Sequence, residues 1–343
     1  MWGVAVRNGV QMAIDEANEA GGVNGRTIRL VAKDDRYDPQ MAANEVRELV
    51  AQERVFAILS PLGTPTAHAA ANHATDKEVL YLFPVATIDD VMPNEQEYLF
   101  TTMPPEREAV AFGLSRLLES GTAKNVAVIA PDDALGYAVR DGVIAELARS
   151  GLTLTAYVGV APDATDLSAP LSWLRKANID IVVLGLVGDQ ALAVARAAQR
   201  LNWRPSVLCS SACHTAEFAA LGGTMVEGLY AVGQVPVPYP DERAIRTWSQ
   251  RYTTKFGTLP TQQSIAGYRN GKLFLAVLEK TGRTPTQENF IRALKNLGPW
   301  TDPQVGGPEL SFSDEDHLGT HTGFLAQVKQ GRWVLARDST TKP

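Results

Sequence analysis

Long apolar runs are missing from this chain: roughly 18 consecutive apolar residues are needed to cross a bilayer as a helix, and no such run occurs. Basic clusters are missing too. No block of five or more Lys and Arg residues is present and the formal charge is -6, so the footprint of a nucleic-acid binder is absent and a neutral partner or a small anion is favoured. Cysteine is scarce. Cys209 and Cys213 are the only two, spaced C-x-x-x-C in one loop without further ligands nearby, which makes a poor zinc site. Two reduced, buried thiols are the simpler reading, and a local disulfide is the other.

Signatures of catalysis are also lacking. The chain has no G-x-S-x-G, no phosphate-binding P-loop, no H-E-x-x-H and no G-x-G-x-x-G after a first strand, so hydrolase, NTPase, zincin and dinucleotide chemistry all go unsupported. The histidines do not repair this. His68 and His73 are five residues apart and fall on different helix faces, while His317 and His321 sit in a polar stretch with Glu315 and Asp316 that reads as solvated surface rather than a metal site. No enzyme, cofactor or metal is therefore expected. The start, from Met1 to Val10, enters almost directly into an amphipathic helix and lacks the pattern of an export signal, so compartment is not legible there.

What is present is 343 residues, 45% hydrophobic and 20% charged, enough apolar side chain for two domains. Helix 3–20 gives way to the turn Gly21-Gly22-Val23-Asn24-Gly25 and a strand Thr27–Ala32. Helix 39–53 precedes strand Val55–Leu59, helix 64–76 precedes Val79–Phe83, and helix 106–120 precedes Asn125–Ala130. The rhythm resumes with helix 136–150 and Thr153–Val158, helix 167–176 and Ile179–Leu184, then helix 189–201 and Ser206–Cys209. Short apolar strands between helices imply an α/β chain with parallel sheets covered on both faces, one doubly wound domain written twice. After Gly228–Val232 comes a proline-dense stretch, Val235–Pro240, suited to a crossing between domains. Helices over 241–256, 262–281 and 286–296 and a hairpin of Gly323–Val328 with Arg332–Leu335 complete the reading.

In open α/β sheets, ligands gather beyond the carboxyl ends of strands. Two such loops are informative. Ser60-Pro61-Leu62-Gly63-Thr64-Pro65-Thr66 combines a glycine, hydroxyls and a helix start, and Pro84-Val85-Ala86-Thr87 adds a second hydroxyl and backbone amides. Together they predict a cradle for one carboxylate or phosphate. Ordinary helix capping by Thr64 and Thr87 is the alternative.

Several segments carry a resemblance. They are Trp2-Gly3 running into Arg7–Asn18, Ala20-Gly21-Gly22-Val23-Asn24-Gly25-Arg26, Asp34-Asp35 with Asp38-Pro39, Pro84–Thr87, Asp163–Ser168, Glu227-Gly228, and Gln327–Trp333. In combination the chain resembles, over essentially its whole length, the branched-chain amino-acid-binding (Leu/Ile/Val-type) family of ABC-transporter solute-binding proteins, with its type I periplasmic-binding fold. The resemblance implies two Rossmann-like lobes joined by a three-strand hinge: 1–103 with 234–319, and 104–233 with 320–343. It implies closure on a solute, an extracytoplasmic or lipid-anchored location, and inner-membrane permease and ATPase partners for a monomeric receptor. A cytoplasmic amide or amino-acid sensor on the same fold is the alternative. Family members carry a signal and a first strand ahead of the Trp2-Gly3 position, and neither is found here, so the first sheet is expected to lack that strand.

The resemblance also assigns residues. The carboxylate grip falls on Gly63, Thr64, the main chain of Val85 and Ala86, and Thr87, with Trp2 against the solute and Tyr268 on a helix approaching it. In the second lobe, positions that hold an α-ammonium group in amino-acid binders become Leu135 (or Tyr137 with a two-residue slip), Val187 and Ser211. An ammonium buried there without an anion would cost several kcal/mol. A mostly apolar or aromatic carboxylate is therefore expected ahead of an amino acid.

Overall fold

The first helix shows why the apolar stripe was legible. In the structure, a computed structural model describing residues 2–86, 96–119, 121–161, 167–236 and 243–336, α1 (Trp2–Glu19) buries Val6, Val10, Ala13 and Ile14 along one helical face. Next comes α2 (Pro39–Ala51), whose Asp38 cap accepts from the Met41 amide at 2.9 Å. The chain continues through β1 (Ala57–Leu59), α3 (Thr64–Thr75), β2 (Leu80–Leu82) and β3 (Leu99–Phe100). Then follow α4 (Glu106–Leu118), β4 (Val126–Pro131), α5 (Ala134–Arg149), β5 (Ala156–Val160), α6 (Ser168–Lys176), β6 (Ile181–Leu184), α7 (Gly188–Arg200), β7 (Ser206–Cys209), α8 (Ala216–Gly222) and β8 (Tyr230–Gly233). Three helices, α9 (Arg243–Phe256), α10 (Gln262–Lys280) and α11 (Gln287–Lys295), precede the pair β9 (Trp300–Asp302) and β10 (Gly306–Leu310). The last pair is β11 (Phe324–Lys329) with β12 (Arg332–Leu335).

These elements form two compact units. Unit 1 is Met1–Pro104 with Pro238–His321, and unit 2 is Pro105–Val237 with Thr322–Pro343. In unit 1 the sheet β1-β2-β3 is parallel, with Ile58 opposite Tyr81 and Tyr81 opposite Leu99. Ala42, Val46, Ile58, Ala70, Ala74, Tyr81 and Leu99 make its core with α2 and α3. On α1 and α10, glycines set the spacing: a Cβ on Gly9 would overlap the Ser264 carbonyl and one on Gly267 the Val6 carbonyl, so the two helices meet backbone to backbone.

Unit 2 holds a seven-stranded sheet in the order β12-β11-β8-β7-β6-β4-β5. Neighbours from β5 to β8 run parallel, while β11 is antiparallel to both β8 and β12. Val126, Val128 and Ala130 of β4 pack with Val139, Val143 and Leu147 of α5. The strands read as continuous apolar runs because helices cover them.

Three expectations need correction. Thr27–Ala32 joins no ladder among the described residues; its backbone is held at Ile28, which donates to Asn18 Oδ1 at 2.9 Å and accepts from Asn18 Nδ2 at 2.8 Å. An extended run becomes a strand only by pairing, and its composition does not reveal whether a partner exists. The strand read at Thr153–Val158 lies further along, at Ala156–Val160. His317 is buried rather than solvated: its Nδ1 lies 3.0 Å from Gln96 O and its ring stacks on Phe100 at 4.1 Å. His321 is the surface histidine, 2.7 Å from Asp316.

Candidate functional site

The strand-end loops of unit 1 begin with strained backbone. Ser60, directly after β1, has φ 55°, and Phe83, directly after β2, has φ 57°. For a residue with a side chain this left-handed conformation costs about 1–2 kcal/mol, so surrounding contacts must hold both turns. Beyond them the loops are laced together: the Val85 amide donates to Pro61 O at 2.8 Å and the Gly63 amide to Val85 O at 3.1 Å. Gly63 itself sits at φ 97°, and a Cβ there would come within 2.5 Å of the Tyr37 ring. Glycine is required on both counts.

Gly63 is the N-cap of α3, which places Thr64 inside the first turn and corrects the reading of Thr64 as the cap. Thr66 turns its hydroxyl back to the chain, donating to Leu62 O at 2.6 Å. Thr64 is half-buried at the helix start, and Ala86 is buried. Since a glycine cap brings no side-chain acceptor to the first-turn amides, this helix end keeps its positive field for an anion. Val85 contributes differently from expectation: its amide proton is committed to Pro61, so it fixes the loop rather than offering that donor outward. Thr87 lies outside the described residues. Trp2 is 51% exposed at the start of α1, and a Cβ on the adjacent Gly3 would be 3.8 Å from Leu62 of the first loop.

Tyr268 does not join this group. It is wholly buried between α1 and α10, its hydroxyl donating to Glu16 Oε2 at 2.7 Å and its ring 5.3 Å from Trp248, so it presents nothing to a solute. Burial pushes its phenol pKa up. Two residues further along α10, Asn270 does reach the loops: its Nδ2 donates to Ser60 Oγ at 3.1 Å and to Phe83 O at 3.0 Å, and Thr102 donates to its Oδ1 at 2.8 Å.

In unit 2 the assigned residues divide. Leu135 is half-buried against the core, whereas Tyr137 is 41% exposed with the Arg140 guanidinium 4.9 Å from its ring centre, and Val187, 46% exposed, is the N-cap of α7. Ser211 is tied inward: its amide donates to Glu106 Oε1 at 2.9 Å and its hydroxyl to Glu106 Oε2 at 2.5 Å. Glu106 is fully buried and also accepts from Gln234 Nε2 at 2.9 Å. The sequence reading missed this carboxyl group. It also missed Asp132, after β4, which accepts from the Tyr157 hydroxyl at 3.1 Å and lies where a Cβ on Gly159 would be 2.5 Å from its carboxylate. Burial, first, and this carboxylate raise the Tyr157 phenol pKa to about 12.

Among the described residues no cluster of His, Cys, Asp and Glu could hold a metal ion. Cys209 and Cys213 are both free and buried, Cys213 lying 3.1 Å from Leu186 O, and burial pushes the Cys209 thiol up.

Two α/β units whose sheets are mainly parallel, with helix-start loops at their strand ends, are the plan of a type I periplasmic binding protein. Residues 1–332 match the periplasmic binding protein family, and the chain belongs to it. It is similar to the Leu/Ile/Val-binding protein BraC3 of Rhizobium johnstonii, 23% identical over 98% of this chain and 89% of that one. Among solved structures, a possible leucine/isoleucine/valine-binding protein from Rhodopirellula baltica superposes with TM-score 0.83 at 20% identity, covering 99% of this chain and 93% of that one. A solute-binding protein of an ABC transporter from Rhodopseudomonas palustris, solved with 3,4-dihydroxybenzoic acid, gives TM-score 0.82 at 18% identity, covering 100% and 94%. At these identities the structures establish the fold. The family is one of binding proteins, consistent with a chain in which no catalytic motif was found.

Proposed function

We propose that this protein is the extracytoplasmic receptor of an ABC importer of the branched-chain-amino-acid type and that it takes a small carboxylate, with apolar or aromatic acids ahead of amino acids. The carrying observation is the laced pair of loops in unit 1, where Gly63 leaves the start of α3 without a side-chain cap and Thr64 stands in its first turn. A carboxylate at such a helix end gains roughly 0.3–1 kcal/mol from the dipole, up to ~2 kcal/mol when partly buried. The Thr64 hydroxyl and the loop carrying Ala86 and Thr87 complete the grip. The preference for acids without an ammonium rests on unit 2, where Glu106 is already committed to Ser211 and Gln234, while Leu135, Val187 and Tyr137 offer apolar and aromatic surface. The complex of the Rhodopseudomonas protein with an aromatic acid is in keeping with this reading. Permease and ATPase subunits are the partners it implies.

One observation favours an amino acid instead. Asp132, on the loop after β4, and the Tyr157 hydroxyl of the neighbouring strand β5 bring a carboxyl group and a phenol together, chemistry suited to an ammonium group. A thermal-shift screen of ligand-stripped protein separates the readings, since a ligand bound only by the native state raises the midpoint by mass action. Benzoate, 3,4-dihydroxybenzoate or isovalerate should raise it. Leucine acting alone would transfer the proposal to Asp132 and Tyr157, and silence from all four would sink the receptor reading.

A further inference from the structure

The three parallel strands of unit 1 end at residues that share one partner. Ser60 follows β1, Phe83 follows β2, and Thr102 lies two residues past β3. All three are buried, and all three meet the side-chain amide of Asn270 on α10. The amide uses both its protons and one acceptor position in doing so: Nδ2 gives one proton to Ser60 Oγ at 3.1 Å and one to Phe83 O at 3.0 Å, while Oδ1 accepts from the Thr102 hydroxyl at 2.8 Å. Ser60 and Phe83 are also the two residues with positive φ at these strand ends. Each is the pivot from which a loop departs, one toward Gly63 and Thr64, the other toward Val85 and Ala86.

The geometry points to Asn270 as the positioning residue of the carboxylate site. It touches no solute. It fixes the direction in which both gripping loops leave the sheet, and with it the distance between the start of α3 and the amides after β2. A side chain of this kind has no substitute among near isosteres. Aspartate lacks the Nδ2 protons and would set an oxygen against Phe83 O; leucine offers neither donor nor acceptor. The inference rests on the carboxylate reading of the loops, although the hold on the loops themselves does not.

The test uses the whole protein with Asn270→Ala, and with Ser60→Ala as the milder variant that removes one arm and leaves the Phe83 arm in place. Amide hydrogen exchange is measured without ligand at Gly63 and Val85, whose protons close the lacing between the loops. Asn270→Ala should speed exchange at both by tenfold or more and leave Ile14 in α1 and Val46 in α2 within twofold of wild type; Ser60→Ala should speed Gly63 by about threefold. Uniform acceleration through unit 1 would reduce Asn270 to a general core residue, and no acceleration at Gly63 and Val85 would overturn the inference outright. Titration with benzoate and with benzamide gives the second readout. Asn270→Ala should weaken benzoate at least tenfold and benzamide less than threefold, and equal losses for the two probes would count against a carboxylate-positioning role. Should wild type bind none of the acids in the screen above, the receptor reading fails, and exchange at Gly63 and Val85 still decides whether Asn270 holds the loops.

Discussion

Each unit ties its strand-end loops with one buried polar side chain, but the chemistry differs. Unit 1 uses Asn270, a neutral amide that both gives and accepts. Unit 2 uses Glu106, which accepts from the amide and hydroxyl of Ser211 and from Gln234. The neutral tie bridges three strand ends and holds two left-handed turns in place. The acidic tie sits at the start of α4, where the helix dipole favours negative charge, and gathers donors from the segments after β7 and β8. The comparison teaches that a buried amide suits a junction offering both donors and carbonyls, and a buried carboxylate suits one offering donors alone.

The comparison breaks most visibly at Glu106. Glu106→Ala leaves the Ser211 amide, the Ser211 hydroxyl and the Gln234 amide without their acceptor, and should cost about 3 kcal/mol of unfolding free energy in urea titrations. Glu106→Gln should recover only part of that, because it turns an amide donor toward other donors. Asn270→Ala is expected next, at about 2 kcal/mol, together with the local exchange described above. A Glu106→Ala variant as stable as wild type would mean that the acidic tie carries no weight.

Acid sharpens the contrast between the units. His214 in unit 2 is fully buried between Phe324 and Trp333, and burial pushes its pKa down to about 3. Above its unfolded value, near 6.5, the ring is neutral in both states and has no effect. As pH falls from 6.5 toward 3 the unfolded chain takes a proton that the folded chain refuses, so stability falls by at most ~1.4 kcal/mol per pH unit. Urea midpoints between pH 7 and pH 4 should follow that slope, and His214→Phe should flatten it. The smallest expected effect is at Thr64: Thr64→Val should weaken the acid that answers the screen by roughly 1 kcal/mol, about fivefold.

Periodicity made most elements legible. Ser206–Cys209 and the hairpin near the end of the chain stand where apolar runs and a Lys329-Gln330-Gly331 turn predicted them. Two-residue β3 is too short to carry a pattern, and Thr27–Ala32 carries a pattern with no ladder. The proposed site was legible only where its chemistry is local. Gly63, Thr64 and Ala86 are neighbours in two loops and could be found by reading along the chain. Asn270 binds across 187 and 210 residues, and Glu106 across 105 and 128, so no local spacing points to either. The available signal was weaker: an asparagine inside the apolar α10, and a glutamate opening a helix after two prolines. Tyr268 shows the reverse error, an aromatic whose helix was placed correctly but whose side chain faces Glu16.

The backbone-to-backbone seam of α1 and α10 has a consequence for synthesis. Glu16 and Tyr268, which close that seam, are 252 residues apart. At about 5–20 residues per second on the ribosome, α1 leaves the exit tunnel roughly 10–50 s before its partner helix exists. Through that interval its apolar stripe of Val6, Val10, Ala13 and Ile14 has no native cover, while β4 to β8 and their helices emerge complete. All of unit 2 except β11 and β12 is thus translated inside the waiting time of unit 1, and the nascent chain spends that time with its first helix available to chaperones.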